Sequence, residues 1–388
     1  MNARGPLRGP LRGIKVLEFA GLGPAPFAAM MLADMGADVL RLERHTLVGA
    51  DPTSGASWDL LNRSRRSVGI DLKHPQGTAL ALQLAEQSDV LIEGFRPGVM
   101  ERLGVGPAAC MARNARLIYG RMTGYGQEGP LAGAVGHDID YIALAGALEP
   151  IGRAGMAPVP PINLLGDFGG GGMLLVCGVL AALVERATSG AGQVVDAAMV
   201  DGSALLCTML HAYRQSGQWS GARGENLFDS GAPFYNVYET AEGAYIAVGA
   251  LEPPFYAELL RRLALTDDAR FAAQMDRAQW PAMKRVLESL FKSRTRDAWC
   301  AVFEGSDACV APVLSPAEAP QHPHNVSRHT FVQMDGVVHP APAPRFSRTP
   351  LAIQCAPPHA GAHTRTALRD WGVSDEAVEG LSRAGAIA

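Results

Sequence analysis

Three short stretches carry side chains able to move protons. The heptapeptide VGHDIDY, Val135 to Tyr141, sets His137 and two acids between a glycine-rich turn and the apolar run IALAGAL. NLLGDFGGGGM, Asn163 to Met173, places Asp167 ahead of an apolar helix, and GALEPPFY places Glu252 ahead of Pro253. Imidazole, with an unperturbed pKa of about 6.5, is the natural general base near neutrality, and a carboxylate can serve where burial raises its proton affinity. Each residue also has an ordinary structural use. An aspartate such as Asp138 or Asp167 makes a good helix N-cap, Glu252 is an acid at a helix start, and a histidine beside a cap needs no catalytic reason.

Spacing argues against several other chemistries. The run Gly169 to Gly172 shows no GxGxxG pattern and no Lys-Ser/Thr pair follows it, so a nucleotide phosphate loop is not expected. Its glycines read instead as positions where backbone approaches a ligand closely. His322, His324, His329 and His339 stand in proline-rich chain without cysteines or a helical i, i+4 pair, so no metal is expected. Six cysteines lack CxxC spacing; Cys177 and Cys207 sit in apolar runs and read as buried thiols in a reducing compartment.

These residues need a scaffold, and the pattern around them predicts one. IKVLEFA, ADVLRLE, DVLIEGF and RLIYGRM read as buried strands, and PAPFAAMMLADMGA and PQGTALALQLAEQ as helices, the first opened by Pro24 and Pro26 and stopped by Gly36. Strands alternating with helices predict a parallel sheet covered by helices, with ligands at the carboxyl ends of its strands. Arg41, Arg44, Arg96 and Arg121 fall at or beyond those ends, which points to an anion site; clusters at Arg63, Arg65, Arg66 and Arg102 read individually as solvated faces. Long helices are expected from Asp167 and from about Ala197. FYNVYET and AYIAVGA then alternate as a hairpin across Ala241-Glu242-Gly243, followed by helices, as a small α+β domain. The division expected is a large domain over 1–215, a linker over 216–232, a small domain over 233–314, and a segment over 315–388 that returns to the large domain. That last part, rich in proline and histidine, shows little periodicity.

At 388 residues, 48% hydrophobic and 19% charged, the chain is globular and long enough for one large and one smaller domain. A net charge of −4 with both signs interspersed argues against a nucleic-acid surface. The longest apolar run, Met173 to Val184, reads as too short to span a bilayer and as a buried core helix, so no membrane partner is expected. The leader MNARGPLRGP lacks the apolar block of a secretory signal, and a cytoplasmic location is expected.

LRGIKVLEFAGLGPAPFAAMMLADMGADVLRLER, NRSRRSVGIDLKHPQG, EGFRPGVMERLG, YGRMTGYGQEGP, VGHDIDY, NLLGDFGGGG and GQVVDAAMVDG follow one another in an order that resembles the class III coenzyme A transferase superfamily, over about Leu11 to Thr349. Within it the chain is most similar to the racemases that act on 2-methylacyl-CoA thioesters in fatty acid metabolism. The resemblance implies a Rossmann-like large domain, a small domain and an interlocked homodimer. It implies no cofactor beyond the coenzyme A of the substrate, an acyl-CoA thioester. It assigns His137 and Asp167 as two bases flanking the α-carbon, Glu252 as the partner of the imidazole, and Asn163 as an active-site residue. For coenzyme A it points to Arg44, Ile70, Lys73, Phe95 and Arg102, with Asp138 and Tyr141 lining the site. A hydrogen would leave one face of the α-carbon and a proton return to the other through an enolate, stabilised by the first amides of the helix at GHD. A coenzyme A transferase using Asp167 as nucleophile is the alternative, and a non-catalytic acyl-CoA carrier a more distant one.

Overall fold

The computed structural model describes residues 7–49, 58–219 and 221–388, so the first part of the leader MNARGPLRGP lies outside the described residues. The chain divides into two compact units: Met1–Ala145 with Ile162–Leu206 and Pro323–Ala388, and Gly146–Pro161 with Cys207–His322. These boundaries differ from the expected division, since residues 146–161 and 207–215 cluster with the second unit and the return to the first begins at Pro323.

In the first unit, β1 (Lys15–Phe19), β2 (Asp38–Arg44), β3 (Arg66–Ile70), β4 (Val90–Glu93), β5 (Ile118–Thr123) and β6 (Val194–Ala198) form one sheet in the order β3-β2-β1-β4-β5-β6, every pairing parallel. The order reverses between β1 and β4, which opens a crevice at their carboxyl ends. Side chains alternate between two apolar layers. Leu17, Leu40 and Leu91 pack with α2 (Pro75–Glu86) and α4 (Pro107–Arg113), near the short α3 (Val99–Arg102). Val16, Val39 and Val90 pack with α1 (Pro24–Asp34) and with α6 (Leu174–Ser189), which follows α5 (Asp138–Leu144) in the chain. Both faces being covered is why the strands are largely apolar and why the charged side chains they carry, such as Glu18 and Arg41, are paired. As expected, α1 opens on Pro24 and stops before Gly36, whose φ of 96° reverses the chain.

Several expectations are corrected. β3 was hidden by Arg66 and the arginines before it, and β6 is a partly exposed edge strand where none was expected; the helix expected from about Ala197 is α7 (Met199–Leu206), which starts after it. The helix expected from Asp167 begins at Leu164 with a π-helical segment, Leu164–Met173, that runs on into α6. Together they make 26 residues, long and apolar enough by length and composition to cross a bilayer, although 39% of the apolar window is buried inside the fold, where it packs on α1, α7, β5 and β6. Cys177 of α6 is exposed, because only one face of that helix meets the core, and Cys207, just after α7, is half-buried.

The second unit holds α8 (Thr208–Gln215), the hairpin β7 (Tyr235–Glu239) and β8 (Tyr245–Gly249), then α9 (Pro253–Arg262), α10 (Trp280–Phe291), α11 (Arg296–Phe303) and β9 (Val310–Pro312), which adds antiparallel to β8. Its core is aromatic: Phe291 stacks with Tyr238 and meets Trp299 edge-on, each at 5.1 Å. The chain then returns to the first unit through α12 (Pro323–Ser327) and the hairpin β10 (Phe331–Met334) and β11 (Val337–Pro340). The tail was expected to be irregular, yet it forms α13 (Thr364–Asp370) and α14 (Asp375–Arg383) and drives Leu368, Trp371 and Val378 into the layer beside β3.

Candidate active site

A cleft of about 270 Å³ occupies the crevice where the sheet order reverses. Its walls come from the turns after β1 (Leu22, Gly23), after β4 (Gly94 to Pro97) and after β5 (Gly124, Tyr125), and from Val135, His137, Tyr141 and Asp167. Loops that leave neighbouring parallel strands diverge there, which is why such sheets bind ligands at this point.

His137 and Asp167 reach this cleft from different elements. His137 is the exposed cap residue of α5; its backbone N–H donates to Asp140 Oδ2 at 2.9 Å and its carbonyl accepts from the Asp140 N–H at 2.9 Å. The amides of Asp140 and Tyr141 both bond back to that carbonyl, so of the expected donors only the first two of this seven-residue helix stay outside such bonds. Asp167 is not a cap. It sits in the first turn of the π-helical segment, and Asn163, which precedes the segment, donates from Nδ2 to Asp167 Oδ2 at 3.0 Å. Burial holds the Asp167 carboxyl above its ordinary pKa; the Asn163 hydrogen bond opposes this, the charge of Asp138 adds to it, and His137 opposes it. The residue before Asn163, Ile162, is held at φ 59°, a costly conformation for a β-branched side chain. Gly23, at φ 68°, is where a Cβ would stand 3.2 Å from Asp167 Oδ2, so the turn after β1 closes directly on the carboxylate.

Phe95 and Tyr141 also line the cleft. The Tyr141 hydroxyl donates to the Gly136 carbonyl, its ring meets Tyr125 edge-on at 4.9 Å, and burial pushes its pKa up to about 12. Asp138 is not on the cleft wall: it is 5% exposed and its Oδ2 accepts the Asp167 backbone N–H at 2.6 Å. Ile70 is also buried, its side chain packed in the core beside β3, so any ligand contact there falls to its main chain. Lys73 is exposed just after β3. Glu252 belongs to the second unit, where it is the exposed cap residue of α9; its carbonyl accepts the Tyr256 N–H at 3.0 Å, and its carboxylate makes no hydrogen bond or ion pair among the described residues.

The arginines separate into two groups. Arg41 and Arg121, expected at the anion site, are buried: Arg41 pairs with Glu18 at 2.5 Å and Arg121 with Glu93 at 2.9 Å. The cluster expected on a solvated face is buried too, Arg63 on Asp34, Arg65 on Glu18 and Arg66 on Asp38 and Asp370. Arg44, Arg96 and Arg102 are exposed and make no ion pair among the described residues. Arg96 lines the cleft itself, and its position directly beyond β4 was the signal for it.

The glycine run, expected to let backbone approach a ligand, lies in close contact with α7 and α1. Gly170 packs on α7: a Cβ at Gly202 would fall 1.8 Å from the Gly170 carbonyl oxygen, so the two backbones touch where any side chain would force them apart. Among the described residues, no three His, Cys, Asp or Glu side chains are grouped as a metal ion requires.

Residues 11–364 match the family described as CoA-transferase family III. The chain is 46% identical over 372 residues to a mouse protein named alpha-methylacyl-CoA racemase, with 95% of each chain covered, and 44% identical over 374 residues to the human protein of that name, with 96% of each covered. Among solved structures it superposes on a CAIB/BAIF family protein from Brucella suis with a TM-score of 0.80 at 25% identity, covering 94% of this chain and all of that one. A parallel sheet with its cleft at the switch point, motifs in unbroken order and a match over nearly the whole length agree: the chain belongs to CoA-transferase family III.

Proposed function

We propose that the protein is an α-methylacyl-CoA racemase that inverts the carbon next to the thioester by two-base proton transfer. The observation that carries this reading is that a histidine and a carboxyl, His137 and Asp167, stand on the walls of one cleft. Inversion needs a base on one face and a proton donor on the other, and a single group cannot easily serve both. A carboxyl whose proton affinity is raised by burial suits a group that must hold a proton in one direction and take it in the other. The relatives named as racemases, at 46% and 44% identity, support the same choice. Glu252 is assigned as the partner of His137, and Asn163 as the group that holds the Asp167 carboxylate. Coenzyme A is too large for the cleft, so its nucleotide lies outside it, on the exposed Arg44, Lys73 and Arg102, while Phe95 and Tyr141 border the reacting end. We also propose that two copies interlock: Met173, Val184, Leu205 and Leu206 expose an apolar surface that a second copy would cover.

The deciding experiment incubates one enantiomer of a 2-methylacyl-CoA in deuterium oxide without other additions. Deuterium enters the α-position and optical purity falls; label that appears only with a free carboxylate acceptor, or acyl transfer to that acceptor, would establish a transferase instead. His137→Ala and Asp167→Ala each lower racemisation by about 10²-fold or more, with acyl-CoA affinity within about tenfold because the coenzyme is held separately. A monomer in sedimentation equilibrium would sink the interlocked dimer.

A further inference from the structure

Asp138 follows His137 directly in the chain, yet its carboxylate faces away from the cleft and into the protein. It is 5% exposed, Oδ2 accepts the Asp167 N–H at 2.6 Å across 29 residues of sequence, and Oδ1 has no hydrogen-bond partner among the described residues. Burying a carboxylate is costly, so its retention asks for a return. The first amides of a helix have no partner within it, and Asp167 lies in the first turn of its segment; the Asp138 carboxylate supplies that partner from another helix. Gly166 completes the joint. A Cβ there would lie 2.6 Å from Asp138 Oδ2, so only glycine lets the turn come down onto the carboxylate. The consequence is geometric: His137 begins α5, the next residue grips the backbone of Asp167, and the two bases share one rigid connection.

We propose that Asp138 is a positioning residue that locks the turn carrying Asp167 onto the start of α5 and so sets the separation of the two bases. The inference rests on the two-base reading of the site. It gives the Asp138 side chain, which is buried and absent from the cleft wall, a role other than contact with the substrate.

The test measures racemisation and α-deuterium incorporation separately for each enantiomer of a 2-methylacyl-CoA, with wild type, Asp138→Ala and Asp138→Asn. In Asp138→Ala, kcat falls about 10- to 100-fold, the loss expected from a base displaced by an ångström or so, and KM stays within about twofold. Exchange is lost from the enantiomer whose hydrogen faces Asp167, while the other still exchanges without inversion. Asp138→Asn, whose carboxamide oxygen can accept the same N–H, recovers kcat to within about fivefold of wild type. A general weakening of the fold would reduce both exchanges alike, and that result overturns the proposal. A rise in KM at unchanged kcat would make Asp138 a substrate contact, and Asp138→Asn as inactive as Asp138→Ala would mean that the accepted hydrogen bond is not what matters; either outcome also overturns it. If Asp138→Ala does not fold, the same comparison between Asp138→Ser and Asp138→Asn decides. Wild-type enzyme that neither racemises nor exchanges would defeat the two-base reading itself, before any variant is considered.

Discussion

Arg41 and Arg44 lie three residues apart on β2 and have opposite fates. Arg41 is buried against Glu18, its register partner on β1, whereas Arg44 stands exposed opposite Ile70, its register partner on β3. The same contrast holds further along the sheet: Arg121 is paired with Glu93, its register partner on β4, and Arg96, beyond the end of that strand, is exposed on the cleft. An arginine at a strand end is therefore no sign of an anion site by itself. What decides is whether the neighbouring strand brings an acid to the same level, and that depends on register rather than on composition.

The largest effect should come from breaking the buried group. Glu18 takes both Arg41 and the fully buried Arg65, and burial already lowers the Arg65 pKa. Glu18→Ala should cost about 3–5 kcal/mol in chemical denaturation, because it leaves buried guanidinium charge uncompensated; a loss below about 1 kcal/mol would erase the distinction between the two groups. The exposed group should answer in binding instead. Arg44→Ala or Arg102→Ala should raise KM for an acyl-CoA by about tenfold with a smaller change in kcat, as for contacts made equally in ground and transition states. The penalty should shrink in high salt and vanish for an acyl-pantetheine, which lacks the nucleotide. An equal penalty on the truncated substrate would move Arg44 from the coenzyme to the fold or the reacting centre.

Asp167 sharpens the comparison from the acidic side, as an acid with no arginine among the groups that shift it. Its folded-state pKa is raised above the unfolded value, so its favourable contribution is complete below the unfolded pKa and is lost as pH rises through the folded one. Above the folded-state pKa the ionised carboxyl therefore weakens the fold. Asp167→Asn should raise Tm at pH 7 by about 2 °C, with the advantage fading as pH falls toward about 4; an unchanged advantage at that pH would show that ionisation is not its cause. The smallest effect is expected for stability in Arg44→Ala, within about 0.5 kcal/mol of wild type by denaturation.

Elements whose signal is local were legible. Pro24 and Gly36 bracket α1, the strands β1, β2, β4 and β5 stand where apolar runs announced them, and the β7–β8 hairpin turns at Ala241-Glu242-Gly243. Elements that depend on distant partners were not. β3 begins with Arg66, which reads as polar surface until Asp38 and Asp370 meet it, and α13 with α14 lie in chain whose apolar residues count only once Trp371 reaches the core and donates from Nε1 to Asp38. Of the site, His137, Asp167, Phe95 and Tyr141 were named from sequence and share the cleft. The inward turn of the Asp138 side chain was not legible, since adjacency to His137 says nothing about which way a side chain turns.

The order of residues determines what is encoded within a few positions: strand alternation, proline and glycine stops, and the chemical kind of the groups at His137 and Asp167. It also holds the collinear motifs that mark the family over residues 11–364. Only the folded chain decides which arginines are neutralised, which glycines are contacts between helices, and that Asp138 grips Asp167. Those outcomes depend on groups 23 to 304 positions apart meeting at hydrogen-bond distance inside a medium that excludes water. Burial makes each such pairing costly to leave unmade, and only the packed sheet determines which groups are buried together.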